Sequence, residues 1–199
     1  MSLLKNTIST ADGSLFQQID SYIETRLSER RLLHSRETAK LAQELCIKYT
    51  VDPGEGAIAG IAHDLAREYS GPELVDFVVK NNIDASEWEM EHPVVLHGKV
   101  AAHIVCEKWG VDQQICRAIE DHVLGRPGMP VLSRILFIAD FCEPSRGFLE
   151  EQKRAELLSL PLEELLLRTT ELIFDYLEKE QRDIAQVTRD MYQYFTREQ

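Results

Sequence analysis

The sequence predicts an all-α fold, a compact helical bundle with a long C-terminal helical extension. Three observations point there. Apolar residues recur at helical spacing through most of the 199 residues. Alternating apolar and polar runs, the mark of half-buried strands, are nearly absent. Proline, glycine and asparagine punctuate the chain at intervals suited to helices. The length is enough for one domain with a sizeable core.

The expected organisation is an N-terminal helical segment over 1–30, a central domain over 31–148, and C-terminal helices over 149–199 packed on the same domain. In the run from Arg36 to Tyr49, the residues Thr38, Ala42, Leu45, Cys46 and Tyr49 share one helical face. Asp52-Pro53-Gly54 stops that helix and opens the next. Gly56 to about Glu68 follows, rich in Ala and Gly, so its backbone can approach its neighbours closely. Ser70 to Glu73 breaks the pattern and caps a helix through about Lys80, ended by Asn81-Asn82. His92-Pro93 opens a helix to Trp109, closed by Gly110. Helices over about Gln113 to Val123 and Val131 to Cys142 flank a Gly125-Arg126-Pro127-Gly128 loop. From Leu162 onward the pattern is amphipathic, with a break near Lys179 to Asp183.

The 22 basic and 34 acidic residues give a formal net charge of −12. That balance excludes a general nucleic-acid binder, which needs basic surface to displace counterions. A small anionic substrate remains compatible, because a metal ion or a few arginines invert the field locally. No window approaches the roughly 18–20 apolar residues of a membrane helix. The first fifteen residues lack the apolar core of a secretory signal. Cys46, Cys106, Cys116 and Cys142 form no C-x-x-C pair and sit in apolar helical contexts, so all four read as buried free thiols. A soluble cytoplasmic protein is expected.

The histidines carry the chemistry. His34, His63, His97 and His122 each fall on or beside the apolar face of a helix, as do Asp64 and Asp140. Burying an ionised carboxylate alone is prohibitively costly. Mutual salt bridging is one solution. A metal that takes neutral imidazoles and carboxylates together is the other, and this donor set suits Fe, Mn, Co, Ni or Zn. His92, before Pro93, reads as a cap or surface residue, and His103 points away from the direction of His97.

The order His34, His63-Asp64, His97, His122, Asp140 resembles the HD-domain metal-dependent phosphohydrolases, in the subset that holds two metals. The blocks LHGKVAAHI, DHVLGRPGMP and ILFIADFCEPSRGF resemble those of the YqeK-type HD proteins, the bacterial symmetrical diadenosine-tetraphosphate hydrolases, over about Leu33 to Phe148. The family pattern differs at three places. Val123-Leu124 stand where it has Thr-Thr, Lys99-Val100-Ala101 where it has Pro-Val-Gly, and Arg67 where it has Lys.

The resemblance implies an HD-domain helical bundle over 31–148. It implies two divalent transition-metal ions, iron first, with Mn, Co, Ni or Zn as alternatives. One would be held by His34, His63, Asp64 and Asp140. The other would be held by His97 and His122, with Asp64 bridging the two. Asp64, His97 and His122 are then the catalytic residues around a dimetal-bridged hydroxide. Cleavage of a diadenosine tetraphosphate would give two ADP. Cations to grip the polyphosphate are Arg126, Arg146, Lys99 and Arg67, in that order. Glu143, one turn after Asp140, suits either orienting a ligand or water or capping a helix end. The rival readings are an HD phosphohydrolase acting on another nucleoside di- or triphosphate or alarmone, a dioxygen-using relative, and a metal-containing nucleotide sensor with little turnover. The acidic C-terminal helices leave a homodimer open.

Overall fold

The computed structural model describes residues 10–197. The first nine residues of the expected N-terminal segment and the last two of the C-terminal one lie outside the described residues. The fold is all-α, with no strand among the described residues. In chain order the helices are α1 (Thr10–Glu24), α2 (Glu29–Lys48), α3 (Pro53–Ala62), α4 (Gly71–Lys80), α5 (Glu87–Glu91), α6 (His97–Trp109), α7 (Gln113–Asp121), α8 (Val131–Cys142), α9 (Glu151–Ser159), α10 (Leu162–Lys179) and α11 (Gln186–Arg197). Short 3-10 turns at Pro93–Leu96 and Pro144–Arg146 precede α6 and follow α8.

The core is organised by α3. Asp52 caps it, accepting the Gly54 N–H at 2.7 Å, and Pro53 occupies its first turn. Its residues Gly56 to Ala62 are all buried, as expected of a helix apolar on every side. Glycine permits this. A Cβ on Gly60 would collide with the Ala39 backbone of α2, and one on Gly56 with the Cys46 sulfur and Ala42 carbonyl. The close approach of α2 and α3 therefore brings His34 and the His63-Asp64 pair together. Helix α8, likewise buried from Ile135 to Ala139, packs against α2, α3, α7 and α10.

Three boundaries differ from the periodicity. The helix expected to reach about Glu68 ends at Ala62, and the backbone tightens to three-residue bonds, Leu65 N–H to Ala62 at 3.1 Å and Arg67 N–H to Asp64 at 2.8 Å. The helix expected from His92-Pro93 starts as a 3-10 turn and becomes α-helical only at His97. The helix expected to Val123 ends at Asp121. At the first and third of these, a histidine ring takes a carbonyl that a continuing helix would use. Helix α5 lies outside the expected helices, although Ser86 and Glu89 form a capping box that marks it, while α9 falls within the expected C-terminal helices over 149–199.

The break near Lys179 to Asp183 is present between α10 and α11, where Gln181 has a φ of 54°. Helix α11 closes back on the core. Thr188 donates to the Leu124 carbonyl at 2.7 Å, and Met191 packs on Gly125. Cys46 and Cys142 are buried and free, as expected. The same expectation is corrected for Cys106 and Cys116, which are paired. The α6–α7 turn at Gly110 brings their Cα atoms to 6.1 Å, a proximity that sequence spacing does not display. Among the described residues no helix is long and apolar enough to cross a membrane.

Candidate metal centre

All four histidines of the cluster are oriented from behind. His63 follows the last residue of α3, and its Nδ1–H donates to the Gly60 carbonyl at 2.6 Å. His122 follows α7 and donates to the Ile119 carbonyl at 2.7 Å. His97 opens α6 and donates to the Val94 carbonyl at 2.6 Å. Each ring thus uses the carbonyl three residues back, where a helix end or 3-10 turn leaves it accessible. His34, within α2, instead donates its Nδ1–H to the Glu143 carboxylate at 2.9 Å. Because every Nδ1 faces an acceptor, every Nε2 lone pair is presented to the centre.

The Nε2 atoms meet in two pairs. His34 and His63 are 3.1 Å apart, and His97 and His122 are 3.2 Å apart. Asp64 lies between the pairs. Its Oδ1 is 3.2 Å from His97 Nε2, and its Oδ2 is 3.5 Å from His34 Nε2 and 3.7 Å from His63 Nε2. Asp140 Oδ1 completes the first pair, 2.9 Å from His34 Nε2 and 3.4 Å from His63 Nε2. His34, His63, Asp64, His97 and His122 are buried, and Asp140 is partly exposed.

This donor set fits metal ions. Two lone pairs facing each other at these distances repel unless a cation or proton lies between them. Ligands about 2.0–2.1 Å from one ion and at right angles are roughly 3 Å apart, which matches both imidazole pairs. The ligand atoms of His34, His63 and Asp140, and those of His63, Asp64 and His122, each fall within 4.8 Å of one another. Imidazole with carboxylate suits first-row transition metals.

Electrostatics agree. Burial alone would raise the Asp64 carboxyl, but His63 and His97 outweigh it and hold it far below the usual range. Burial likewise opposes ionisation of Asp140, and Arg146, His34 and His63 overcome it. Burial would lower His34, but Asp140 and Glu143 raise it to about 9. Without metal, His34 is therefore itself the cation between two carboxylates. His122 is driven down to about 3 by burial and by repulsion from His63 and His97, so its Nε2 is a pure acceptor.

A cavity of about 620 Å³ opens on the centre, with His34, His122 and Asp140 in its lining. Arg30, Arg31 and Arg146 line it as well. Arg31 donates to Asp64 Oδ2 at 3.0 Å. Arg146 donates to Asp140 and lies 3.4 Å from His34 Nε2. Of the four cations expected to meet substrate, Arg146 is thus in the cavity. Arg67 does not line the cavity; it is half-buried, makes no ion pair among the described residues, and stands in the field of Arg31, Asp64, Asp140 and Arg146. Arg126 does not line the cavity. It donates to Asp121 at 2.8 Å, and Asp121 also holds Ser133. Lys99 is also elsewhere, bonded to Glu89 at 2.9 Å and to the Asp84 carbonyl at 2.7 Å.

Glu143 performs both roles read for it, accepting the Ser145 N–H at 2.5 Å as a cap and holding His34. His92 caps α5 and stacks on Trp88, and His103 lies edge-on to Phe77. Sequence reasoning missed Arg30, Arg31 and Trp88. Arg30 and Arg31 precede His34 by about one helical turn, a spacing that marks them in retrospect.

Comparison with known proteins gives a family and a fold. The HD domain family model matches residues 31–145. A Bacillus subtilis protein named symmetrical bis(5'-nucleosyl)-tetraphosphatase is 28% identical over 163 residues, covering 81% of this chain and 87% of that protein. A Staphylococcus aureus protein of the same name is 31% identical over 124 residues, 61% of this chain and 62% of that one. In fold, the chain is similar to a Clostridium acetobutylicum crystal structure described as a predicted HD superfamily hydrolase involved in NAD metabolism. The TM-score is 0.84 at 24% identity, covering 92% of this chain and 98% of that one. With its histidine and aspartate cluster inside the matched span, the chain belongs to the HD domain family.

Proposed function

We propose that this protein is a metal-dependent nucleotide phosphohydrolase that cleaves diadenosine tetraphosphate symmetrically into two ADP. The observation that carries the reading is Asp64, placed between two pairs of facing imidazole nitrogens. The names of the Bacillus subtilis and Staphylococcus aureus relatives support the substrate.

His34, His63, Asp64 and Asp140 would hold one divalent transition-metal ion, and His97 and His122 a second, with Asp64 shared. Iron is the first candidate. Such ions acidify water and screen phosphoryl charge. The protein's own groups do the rest. The Nδ1 bonds fix each ring so that little reorganisation accompanies the reaction. Arg30, Arg31 and Arg146, which line the cavity, are the cations to position the polyphosphate. Water oxygen adds to one of the two central phosphorus atoms and the bond to the central bridging oxygen breaks. One water is consumed and two ADP leave. A cytoplasmic location belongs to the same proposal.

One observation favours a second nucleotide substrate. Val123 and Leu124 line the cavity where hydroxyl side chains stand in the family resembled. Product analysis separates the two readings. The protein, purified without oxygen and supplied with ferrous iron, is incubated with diadenosine tetraphosphate and the nucleotides are resolved by chromatography. ADP as the sole early product is expected. ATP plus AMP moves the cleavage off centre. No product, with metal bound, overturns the substrate.

A further inference from the structure

The cavity lining draws aromatic side chains from two separate parts of the chain. One part supplies the sequence neighbours of His34 and Asp140, namely Leu33 and Phe141, together with Phe148. Phe148 follows Arg146 and the left-handed Gly147, packs on Phe141 at 4.8 Å, and is 52% exposed. Leu33 and Tyr176, which also line the cavity, are exposed to a similar degree, and grouped apolar exposure of this kind marks a ligand groove. The other supplies Val123, which follows His122, and Trp88. Trp88 is half-buried, and one face is stacked on His92 at 4.1 Å and 17°. His92 in turn donates its Nδ1–H to the Trp88 carbonyl at 2.8 Å, which locks the stack.

We propose that Trp88 and Phe148 are the nucleobase-stacking residues of the cavity, one for each base. The proposal rests on the nucleotide reading above and deepens it. Charge and shape argue for the occupant. Metal ligands and Arg30, Arg31 and Arg146 share one cavity with two aromatic platforms, the complement of the phosphates and the two bases of a dinucleoside polyphosphate. Aromatic platforms bind bases through their π-faces and tolerate base identity. A base held on each platform would place the central phosphates over the ligand cluster, which is the arrangement symmetrical cleavage requires.

The test is a binding measurement on the full chain loaded with zinc, using ADP as probe. Trp88 and Trp109 are the two tryptophans. Trp109 stacks edge-on to Tyr22 and is not in the cavity, so Trp109→Phe leaves Trp88 as the reporter. Equilibrium dialysis is expected to give two ADP per chain, with quenching of Trp88 emission. Phe148→Ala is expected to weaken one ADP about ten-fold, at the low end of what a base–aromatic stack contributes, while the Trp88 quench persists. Trp88→Leu should weaken the other ADP by a similar factor. ADP binding with Trp88 emission unchanged, or unaltered ADP affinity in both variants, overturns this inference alone. Failure of ADP to bind at all overturns the nucleotide reading with it. Titrating the unsubstituted chain guards against a folding defect in any variant.

Discussion

Glu143 Oε1 accepts the Nδ1–H of His34 at 2.9 Å, a buried bond between residues 109 positions apart in the chain. Glu143 therefore couples the end of α8, which carries Asp140, to α2, which carries His34. Glu143→Ala removes the acceptor and frees the His34 ring to rotate. Metal affinity is expected to fall about 10- to 100-fold, the usual effect of losing a ligand's supporting partner. Metal titration followed by elemental analysis checks it. Glu143→Gln keeps an acceptor oxygen and should lose less. Equal affinity in all three proteins would leave Glu143 as a cap for Ser145 alone.

Asp64 presents one oxygen to each imidazole pair, so both halves of the centre should depend on it. Asp64→Ala is expected to lose hydrolysis and more than about 100-fold in metal affinity, exceeding the effect of a supporting residue. An Asp64→Ala protein that kept two metals and full turnover would sink the shared-ligand assignment.

The α2–α3 contact makes Gly60 intolerant of any side chain. Gly60→Ala is expected to destabilise the protein by about 1–3 kcal/mol or more. Its melting temperature should fall by roughly 3–10 °C. Gly13→Ala is the control, since a Cβ there meets nothing within 4 Å. Circular dichroism melts compare them, and an unshifted Gly60→Ala melt would contradict the close packing described.

His34 gives the metal-free protein a pH signature. Its pKa is raised to about 9 by Asp140 and Glu143 against burial, so the folded state binds its proton more tightly than the unfolded state, whose value is 6.5. This stabilisation is fully present below pH 6.5 and is lost as pH rises through about 9. The loss should be on the order of 3 kcal/mol. Urea unfolding of chelator-treated protein between pH 6 and 10 measures it. His34→Gln should flatten that slope, and an unchanged slope would remove His34 as its source.

The candidate phosphate contacts separate by readout. Arg146 lines the cavity and Lys99 is bound to Glu89 away from it. Arg146→Ala is expected to raise KM about ten-fold or more, the scale of a charge-assisted hydrogen bond. Lys99→Ala should appear instead in thermal stability, because it leaves the buried Glu89 unpaired. A KM rise confined to Lys99→Ala would reverse the assignment.

The sequence by itself determined the helical class, most helix spans, and the six residues that converge at the centre. It could do so because burial imposes a 3.6-residue period, and because polar groups at inward positions demand partners. Local chemistry was equally legible at Asp52, Ser70 and Gly110, whose caps depend on near neighbours only. The tertiary structure decided the rest. That α3 stops at Ala62 follows from a ring turning back on the Gly60 carbonyl, which periodicity does not encode. The pairing of Cys106 with Cys116 depends on how α6 and α7 fold against each other. Arg126 and Lys99 carry the right charge for a phosphate, yet Asp121 and Glu89 claim them. Charge type is written in the sequence, but which partner neutralises it depends on distances set by helix packing.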